Sequence, residues 1–493
     1  MTATKLYTAE QVRALDAAFI QSGTPAQQLM KRAGRAAFDA LLARWSEPEE
    51  ITVYCGSGNN AGDGFVVAAL AAARRIPVNV VLVGEVEKLS AEARAAYDFA
   101  RQEGVVMMPP GPAPSAGVIV DGLLGTGISG EVRPEYRQVI EQINASALPV
   151  VALDLPSGLN ADTGAECGLA VRAALTVSFI GLKQGLVTGR APALTGELLF
   201  ADLSVPAEIY KSLTATAERP EFADLLAALP SREADAHKGS FGHVMVIGGD
   251  TGRGGAAIMA AEAAARTGAG LVSLATRPEH VGAALARRPE IMSCGVISGQ
   301  ELEPWLARPS VLVVGPGLGE SPWSEQMLQQ ALATDLPLVL DADALNLIAA
   351  GRLWREGARR DNWILTPHPG EAARLLASTT AGVQQDRYAA VRSIQQRYGG
   401  AVILKGAGSL VASADAPVQV ITAGNPGMAS GGMGDVLSGI LGALLAQGAP
   451  LAQAAALGAS LHAHAADLVA AERGQRSLLA TDLLDYLGEL LGD

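Results

Sequence analysis

Short hydrophobic runs alternate with helix-like stretches along the first half of the chain. Runs rich in Val, Ile and Leu, bounded by turn residues, predict strands that are buried on both faces. The predicted strands are 51–55, 78–83, 118–121, 150–154 and 174–179. The predicted helical stretches are 8–42, 65–75, 91–102 and 133–144. Strands that alternate with helices predict a parallel α/β sheet whose ligands bind at the carboxyl ends of the strands.

The second half of the chain repeats this alternation without a clear sequence repeat. Its predicted strands are 243–248, 271–276, 311–315, 338–341, 363–366 and 401–405, and helices are predicted at 255–267 and 435–447. A joint at 203–236 holds Pro206, Pro220 and Pro230 among short polar patches. We therefore expect two α/β domains, 1–218 and 219–493, produced by fusion instead of duplication.

Composition narrows the possible partners. Hydrophobic residues make up 49% of the 493 residues and aromatic residues 4%, which suits tightly packed helices on parallel sheets. The net charge of −13 disfavours nucleic acid or an acidic membrane surface as partner. The three cysteines show no CxxC or Cys/His spacing, so neither a disulfide framework nor a zinc site is indicated. We expect a cytoplasmic protein that neither binds nucleic acid nor spans a membrane.

A glycine-rich turn near the C-terminus carries an acid where it enters a helix. Gly431, Gly432 and Gly434 allow the backbone to approach a ligand, so that amides at the helix start point at an anion. Asp435 would repel a bound phosphate, which favours a role as the base that accepts a proton from a hydroxyl. In the alternative, the glycines form only a tight turn and Asp435 complements the helix dipole. This segment leaves both interpretations open.

Other polar and glycine-rich motifs follow the strands predicted in the second half. They are Gly248-Gly249-Asp250, Gly315-Pro316-Gly317-Leu318-Gly319, Asp341-Ala342-Asp343-Ala344-Leu345-Asn346, Thr366-Pro367-His368-Pro369-Gly370-Glu371 and Lys405-Gly406-Ala407-Gly408-Ser409. Motifs at the same sheet edge predict a cleft, and the absence of a GxxxxGK[ST] sequence excludes a Walker loop. Lys405 is interpreted as a ligand group, whereas His368 is either a ligand or a capping residue.

Together these motifs resemble the ribokinase-like fold and, within it, the ADP/ATP-dependent NAD(P)H-hydrate dehydratases. The resemblance implies that nucleotide contacts Lys405, Gly406, Ala407, Gly408, Ser409 and Gly434. It implies that the damaged cofactor contacts Ala257, Gly317, His368 and Asp435. Asp435 is the expected catalytic base, and Mg²⁺ is expected with the nucleotide. This base would deprotonate the hydroxyl of hydrated NADH or NADPH so that it can be phosphorylated and expelled.

The first half carries its own strand-end motifs. Cys55-Gly56-Ser57-Gly58-Asn59-Asn60-Ala61-Gly62-Asp63-Gly64 follows a predicted strand and opens a helix, as a phosphate-binding turn would. The GxGxxG pattern of Gly125, Gly127 and Gly130 is not a Rossmann fingerprint, because residues 121–124 separate it from the strand body. Oxygen-bearing side chains at Asn60, Asp121 and Ser157 suit K⁺ better than zinc. Asp154 is either a proton shuttle or a turn residue.

This half resembles the NAD(P)H-hydrate epimerases through NNxGDG, DxLLGTG and DxPSG motifs. The resemblance implies K⁺ bound by Asn60, Asp121 and Ser157. It implies that the cofactor contacts Asn59, Asn60, Ala61, Gly62, Asp63, Gly125, Thr126, Gly127, Ile128, Ser129, Gly130, Glu131 and Asp154. Asp154 is the expected acid/base, with Lys183 a lesser candidate. The family usually has Gly at position 61, so Ala61 would be strained there if that position required a positive φ.

The two resemblances imply a Rossmann-like and a ribokinase-like three-layer sandwich and, together, one repair enzyme for hydrated NADH and NADPH. The first domain would interconvert the R and S hydrates, and the second would dehydrate the S form with ADP or ATP. A homo-oligomer is expected. One alternative is a ribokinase-type small-molecule kinase fused to an isomerase-like domain, which would accumulate a phosphorylated product. Another is a nucleotide-binding scaffold that binds without turnover.

Overall fold

The computed structural model describes residues 4–128, 130–355, 357–414 and 416–492. The chain divides into two compact units between Glu218 and Arg219. Among the described residues, no helix combines the length and the apolar character that crossing a bilayer requires.

Unit 1 contains a parallel sheet with helices between its strands. Its strands are β1 (Lys5–Tyr7), β2 (Ile51–Cys55), β3 (Val78–Leu82), β4 (Val106–Met108), β5 (Val118–Gly122), β6 (Val150–Leu153), β7 (Leu175–Phe179), β8 (Leu182–Lys183), β9 (Glu197–Ala201) and β10 (Ala217–Glu218). Its helices are α1 (Ala9–Gln21), α2 (Ala26–Arg44), α3 (Asn59–Ala73), α4 (Ala91–Gln102), α5 (Pro134–Ala145) and α6 (Ala207–Lys211).

The main sheet of unit 1 has the order β4-β3-β2-β5-β6-β7-β9 with parallel pairing throughout. The chain changes direction across the sheet between β2 and β5, and the crevice at such a switch point is the usual ligand site of a Rossmann-like fold. Strand residues alternate between two cores: Val53 and Val120 belong to one, Tyr54 and Ile119 to the other. This confirms strands that are buried on both faces. Outside this sheet, β1 pairs antiparallel with β10 and parallel with β8.

Unit 2 has the same layered plan. Its strands are β11 (His243–Ile247), β12 (Leu271–Thr276), β13 (Met292–Gly295), β14 (Val311–Val314), β15 (Leu338–Leu340), β16 (Trp363–Leu365), β17 (Ala401–Leu404), β18 (Ser409–Ala412) and β19 (Val418–Ile421). Its helices are α7 (Phe222–Ala227), α8 (Gly254–Arg266), α9 (Pro278–Arg287), α10 (Gly299–Leu302), α11 (Pro322–Leu332), α12 (Asp343–Ala349), α13 (Pro369–Leu375), α14 (Thr380–Gln385), α15 (Arg387–Tyr398), α16 (Met433–Ala446), α17 (Leu451–Arg473) and α18 (Leu487–Leu491).

The strands of unit 2 follow the order β13-β12-β11-β14-β15-β16-β17-β18-β19. Pairing is parallel up to β17, whereas β18 and β19 pair antiparallel at one side. Helices α8, α16 and α17 bury small and branched residues against one face of this sheet. The loops after β14, β15, β16 and β17 therefore meet at one edge, beside the start of α16.

The predicted strands are confirmed, with ends that shift by no more than one residue. Two helix predictions need correction. The stretch 8–42 forms two helices. The first ends at Gln21 and the second begins at Ala26, with Gly23 and Pro25 in the connection. The stretch 65–75 begins earlier, at Asn59, so the asparagines of the first motif lie in the first turn of α3.

Candidate active sites

The glycine-rich turn of unit 2 leads directly into α16. Gly432 has φ of +93°, a conformation that glycine adopts without strain, and Met433 begins the helix. The first amides of a helix have no intrahelical acceptor and carry the positive end of its dipole. A side chain at position 434 would come within 3.0 Å of Asp341 Oδ2 and 3.2 Å of Lys405 Nζ. Glycine at that position keeps the anion-binding end of α16 close to the carboxyl ends of β15 and β17.

A buried polar network lies beneath that turn. Lys405 Nζ donates to Asp341 Oδ1 at 2.7 Å, and Thr366 Oγ1 donates to the same oxygen at 2.7 Å. Ser438 Oγ, on α16, donates to Asp341 Oδ2 at 3.0 Å. Burial opposes the charge on Asp341, but Lys405 and these hydrogen bonds outweigh it and lower the pKa of the carboxyl group. Asp341 is therefore a fixed anion that holds three elements together.

Asp435 is half-buried above this network. Burial and the nearby carboxylates of Asp341 and Asp343 raise the pKa of Asp435 to about 7, while Lys405 opposes the shift. A carboxyl group with a pKa near neutrality accepts a proton more strongly than an ordinary aspartate does, which is the property of a general base. This favours the catalytic interpretation of Asp435 over that of a helix-dipole partner.

The loops after β14 and β15 are joined by a hydrogen bond near Asp435. Asp343 Oδ2 accepts hydrogen bonds from the amide of Gly319 at 2.7 Å and from Arg253 Nη1 at 3.1 Å. Ala342, between the two aspartates, has φ of +48°, which is a strained conformation for a residue other than glycine. Gly317, at φ of +58°, lies against the backbone of Arg253. Gly317, a predicted cofactor contact, therefore lies at the carboxyl end of β14, on the same sheet edge as Asp343.

Ala257 is fully buried, on α8, and packs under the turn after β11. Side chains added at Gly248 or Gly249 would lie about 3.5 Å and 3.4 Å from its Cβ. The small side chain of Ala257 lets the turn at Gly248 and Gly249 pack closely against α8. In the structure Ala257 therefore serves packing.

His368 caps helix α13. The amides of Gly370 and Glu371 donate to its Nδ1 at 2.9 Å and 3.4 Å, and Glu371 Oε2 accepts the amide of His368 at 2.8 Å. Burial, Lys405 and Arg374 lower the pKa of His368, so the ring is neutral at pH 7. The capping alternative is thus realised, and the ring is about half exposed with Nε2 3.3 Å from Glu371 Oε1. Its contact with a cofactor remains a prediction.

Two buried cationic or titratable residues of this site were not found from the sequence. Arg387, 1% exposed, donates to the carbonyl oxygens of Leu404 and Lys405 at 3.2 Å and 3.4 Å, which supports the loop after β17. His462, on α17, bonds to the backbone of Met433, and its Nε2 has no partner among the described residues. Burial first, and then Lys405, lower the pKa of His462 to about 4. Neither residue stands in a recognisable motif, so only the tertiary structure identifies them.

The other site is a cavity of about 750 Å³ in unit 1. It lies at the carboxyl ends of β2, β5, β6 and β7 and is also lined by α1 and α2. The residues of the predicted site that line it are Asn59, Asn60, Asp63, Gly125, Thr126, Gly127, Ile128, Glu131 and Asp154, together with Lys183. Ser129 lies outside the described residues. The sheet edge expected from the strand pattern is therefore where the cavity forms.

Asp154 and Lys183 form an ion pair in this cavity. Asp154 has φ of +67° and accepts the amide of Phe179 at 3.0 Å, so its backbone is held in a strained turn beside β7. Lys183 is fully buried and also contacts the carbonyl oxygen of Phe179 at 3.0 Å. Burial and the carboxylates of Asp154 and Asp16 raise the pKa of Asp63 well above its usual value. Several carboxyl groups of the cavity therefore lie near the buried ammonium group of Lys183.

The three predicted cation ligands are linked by hydrogen bonds around Leu123 and Leu124. Asn60 Nδ2 donates to the carbonyl oxygen of Leu124 at 3.1 Å, and the amide of Leu124 donates to Ser157 Oγ at 2.8 Å. Ser157 Oγ and its amide donate to the two oxygens of Asp121 at 2.6 Å and 2.8 Å. Burial raises the pKa of Asp121 to about 6, against the hydrogen bonds from Ser157. The buried Asn60 Oδ1 has no partner among the described residues.

Ala61 and Gly62 are not among the residues that line the cavity. Ala61 is fully buried in the first turn of α3 and helical, so alanine at that position causes no strain. A side chain at Gly62 would collide with Met30 of α2 at 2.4 Å, which shows that glycine there serves helix packing. Gly130 has φ of +75° and occupies a turn. Contacts of these residues with a ligand would have to use their backbone.

Comparison with known proteins assigns both units. Residues 244–489 match the family model described as NAD(P)H-hydrate dehydratase, and residues 26–185 match the YjeF-related protein N-terminus. The chain is 49% identical to the bifunctional NAD(P)H-hydrate repair enzyme Nnr of Coxiella burnetii, over 99% of each chain. It is 45% identical to the enzyme of the same name from Vibrio cholerae, over 99% of this chain and 98% of that one. This chain belongs to the bifunctional NAD(P)H-hydrate repair enzymes.

A solved structure of a related protein supports the fold of unit 2. A ribokinase-like superfamily protein from Enterococcus faecalis is 31% identical and aligns with a TM-score of 0.50, covering 55% of this chain and 94% of that one. The family resemblances expected from the motifs of both halves, and the α/β fold class of each, are confirmed.

Proposed function

We propose that unit 1 interconverts the R and S hydrates of NADH and NADPH and that unit 2 dehydrates the S form with ADP or ATP. The observation that carries the proposal is Asp435, whose pKa near 7 is set at the start of a glycine-capped helix above the buried pair of Asp341 and Lys405. An anion site beside a group ready to accept a proton is what phosphoryl transfer to a hydroxyl requires.

Dehydration needs a better leaving group than hydroxide. Asp435 removes the proton from the ring hydroxyl, and the hydroxyl oxygen attacks the terminal phosphorus of ADP or ATP. The bond from that phosphorus to the bridging oxygen breaks and releases AMP or ADP, and Mg²⁺ bound with the nucleotide would supply positive charge to its phosphates. The first amides of α16, including that of Gly434, stabilise charge on the transferred group. The lone pair of the ring nitrogen then expels phosphate, and proton loss from the ring restores the double bond of NADH or NADPH.

Lys405 has two roles in this scheme. Its ammonium group is 22% exposed and already neutralises Asp341, and the carboxylates of Asp341 and Glu371 raise its pKa although burial opposes the charge. It therefore stays charged and contributes positive potential to the nucleotide phosphates, while its loop from Gly406 to Ser409 contacts the nucleotide. Arg387 keeps that loop in place from below.

In unit 1, Asp154 is the acid/base of epimerisation, and Lys183 holds its carboxylate in position. The residues around Leu124 fit K⁺: Asn60 Oδ1 is a buried oxygen that lacks a partner among the described residues, and the hydrogen-bond donors to Asp121 are neutral groups. K⁺ bound by Asn60, Asp121 and Ser157 would neutralise this buried carboxylate and order the turn around Leu124.

The decisive experiment incubates the full chain with a mixture of R and S hydrates, with and without ADP or ATP. With nucleotide and Mg²⁺, both hydrates should disappear while NAD(P)H absorbance and free phosphate rise together. Without nucleotide, the two hydrates should only equilibrate. Accumulation of a stable phosphorylated product would instead identify a ribokinase-type kinase. Unchanged hydrates under every condition would exclude the repair function.

The cation proposal has its own test. Replacing K⁺ with Li⁺ should slow epimerisation, because a smaller cation cannot be held by the same oxygens at their spacing, and K⁺ should restore the rate. The variant Ser157→Ala should lose this dependence on K⁺. Epimerisation that is equally fast in K⁺ and Li⁺ would contradict the proposal.

Cellular location and assembly complete the proposal. The cysteines Cys55, Cys167 and Cys294 are free and buried, which supports a reducing, cytoplasmic location. Exposed Leu285, Met292 and Ile297 on unit 2 support a homo-oligomer, whose mass sedimentation would measure.

A further inference from the structure

Helix α1 brings a carboxyl group into the cavity of unit 1. A capping box formed by Thr8 and Gln11 fixes the start of this helix. Val12, Asp16 and Ile20 recur at the spacing of one helical face, and all three line the cavity. Apolar residues at 12 and 20 are expected of a helix that packs inward, whereas an acid between them is not.

Asp16 is partly buried in the wall of the cavity. Its Oδ1 is inaccessible to solvent and has no hydrogen-bond partner among the described residues. A buried polar atom that lacks a partner destabilises the folded state, so a structural role alone does not account for this carboxyl group. Exposed positions on the same helix, such as Arg13 and Ala14, would carry an acid without this cost.

The charges around Asp16 come from several elements. Asp154 and Lys183 face it from the ends of β6 and β8, Glu92 from α4 and Asp63 from α3. Burial first, and then repulsion from Asp154, raise the pKa of Asp16, while Lys183 acts in the opposite direction. Lys183 is paired directly with Asp154 and not with Asp16, so Asp16 retains its proton more readily than an ordinary aspartate does.

We propose that Asp16 is a second catalytic residue of the unit 1 cavity, which exchanges a proton with the ring hydroxyl of the hydrate as the partner of Asp154. This inference rests on the proposed epimerase function. Inverting the hydroxyl-bearing carbon requires a proton donor on one face of the ring and a proton acceptor on the opposite face, and a single carboxyl group cannot reach both faces.

The proton balance assigns one group to each step. Asp16 donates its proton to the ring hydroxyl, the carbon–oxygen bond breaks with its electron pair on the departing water, and the nitrogen lone pair forms a carbon–nitrogen double bond. Water then adds to the opposite face of that carbon while the nitrogen recovers its lone pair. Asp154 takes the proton released by this water. The reverse reaction exchanges the two roles. After a forward turnover, proton exchange with water in the cavity returns the proton from Asp154 to Asp16, and no oxidant is needed.

The test compares Asp16→Asn with Asp39→Asn, an exposed aspartate of α2, in the full chain. Asp16→Asn should lower kcat for hydrate interconversion roughly 10²- to 10⁴-fold with little change in KM, because it removes a proton donor. Asp16→Glu should recover part of the rate. Asp39→Asn should match the wild type in all measurements. Dehydration of purified S hydrate with ADP serves as an internal control that Asp16→Asn should leave unchanged.

Three results would overturn the inference: a kcat of Asp16→Asn within threefold of the wild type, an increase in KM alone, or equal losses of interconversion and dehydration with a lowered Tm. The last would indicate a structural role. A wild-type chain that does not interconvert the hydrates would instead refute the proposed epimerase function, so the two failures are distinguishable.

Discussion

At the scale of single residues, Asp435 shows how its surroundings reverse an expected property. The start of a helix normally stabilises a carboxylate and keeps its pKa low. Here burial and the anions Asp341 and Asp343 outweigh that contribution and raise the pKa to about 7. The group is therefore a poor permanent anion and a good proton acceptor at neutral pH.

Replacing this acceptor should abolish the chemistry while the fold persists. Asp435→Asn should lower the turnover of dehydration by roughly two to four orders of magnitude, because the amide cannot accept the hydroxyl proton. Single-turnover measurements with purified S hydrate check this. Near-normal turnover in the folded variant would show that another group is the base.

The same residue predicts how activity depends on pH. Only the carboxylate form of Asp435 can act, so kcat/KM for dehydration should increase as the pH rises through about 7. A profile measured from pH 5 to pH 9 tests this. An acid limb near pH 4, typical of an ordinary aspartate, would contradict the assignment.

Stability should respond in the opposite sense. The pKa of Asp435 is higher in the folded chain than its ordinary value of 3.8, so ionising it costs stability as the pH rises from about 4 to above 7. Asp435→Asn should therefore raise the Tm at pH 8, and the difference should vanish near pH 4. A Tm at pH 8 below that of the wild type would contradict the direction of the shift.

At the scale of elements, α16 owes its position to close contact with α8. A side chain at Gly439 would lie 2.0 Å from the carbonyl oxygen of Ala260, so only glycine permits this approach. Ala263 and Ile440 are buried in the same core, which holds α16 against the sheet. The placement of Asp435 thus depends on a packing residue one helical turn away.

Gly439→Ala should destabilise unit 2 by about 1–3 kcal/mol through overpacking and should also reduce dehydration. Gly282→Ala is the matched control, since position 282 is exposed in α9 and has open space around it. Alanine there should stabilise by up to about 1 kcal/mol through helix propensity. Urea denaturation of both variants measures the difference, and equal stabilities would refute the packing argument.

The elements themselves were largely predictable from the sequence. Buried parallel strands are continuous apolar runs, so β2, β12 and β17 stand out. Strands at the sides of the sheets, such as β4 and β13, are shorter and partly exposed, and they were missed. Antiparallel β18 and β19 were missed as well, because pairing direction follows from the partner strand and leaves no local signal.

At the scale of the whole molecule, the two units carry consecutive reactions of one repair process. A dehydratase that accepts one epimer clears a mixture only if another activity converts the other epimer. Each unit has its own core and its own candidate site, so we predict that the hydrate released by one chain can be used by another chain.

Complementation tests this inference. Asp154→Asn should dehydrate S hydrate but leave R hydrate to its uncatalysed epimerisation. Asp435→Asn should interconvert the two hydrates without dehydrating either of them. Mixed in equal amounts, the two variants should clear both hydrates at rates that approach those of the wild type. If the mixture left R hydrate behind, the reactions would have to be coupled within one chain.

The sequence by itself determined the number and type of the central strands, the glycine turns at their ends and the residues that could perform chemistry. These properties depend on short segments, since hydrophobic period and backbone freedom are local. Only the tertiary structure decided which groups meet. Asp341 and Lys405 are 64 residues apart and Asp121 and Ser157 are 36 apart, yet both pairs are in contact. The pKa of Asp435 and the isolation of Asp16 arise from burial and from neighbours distant in sequence, which no local pattern records.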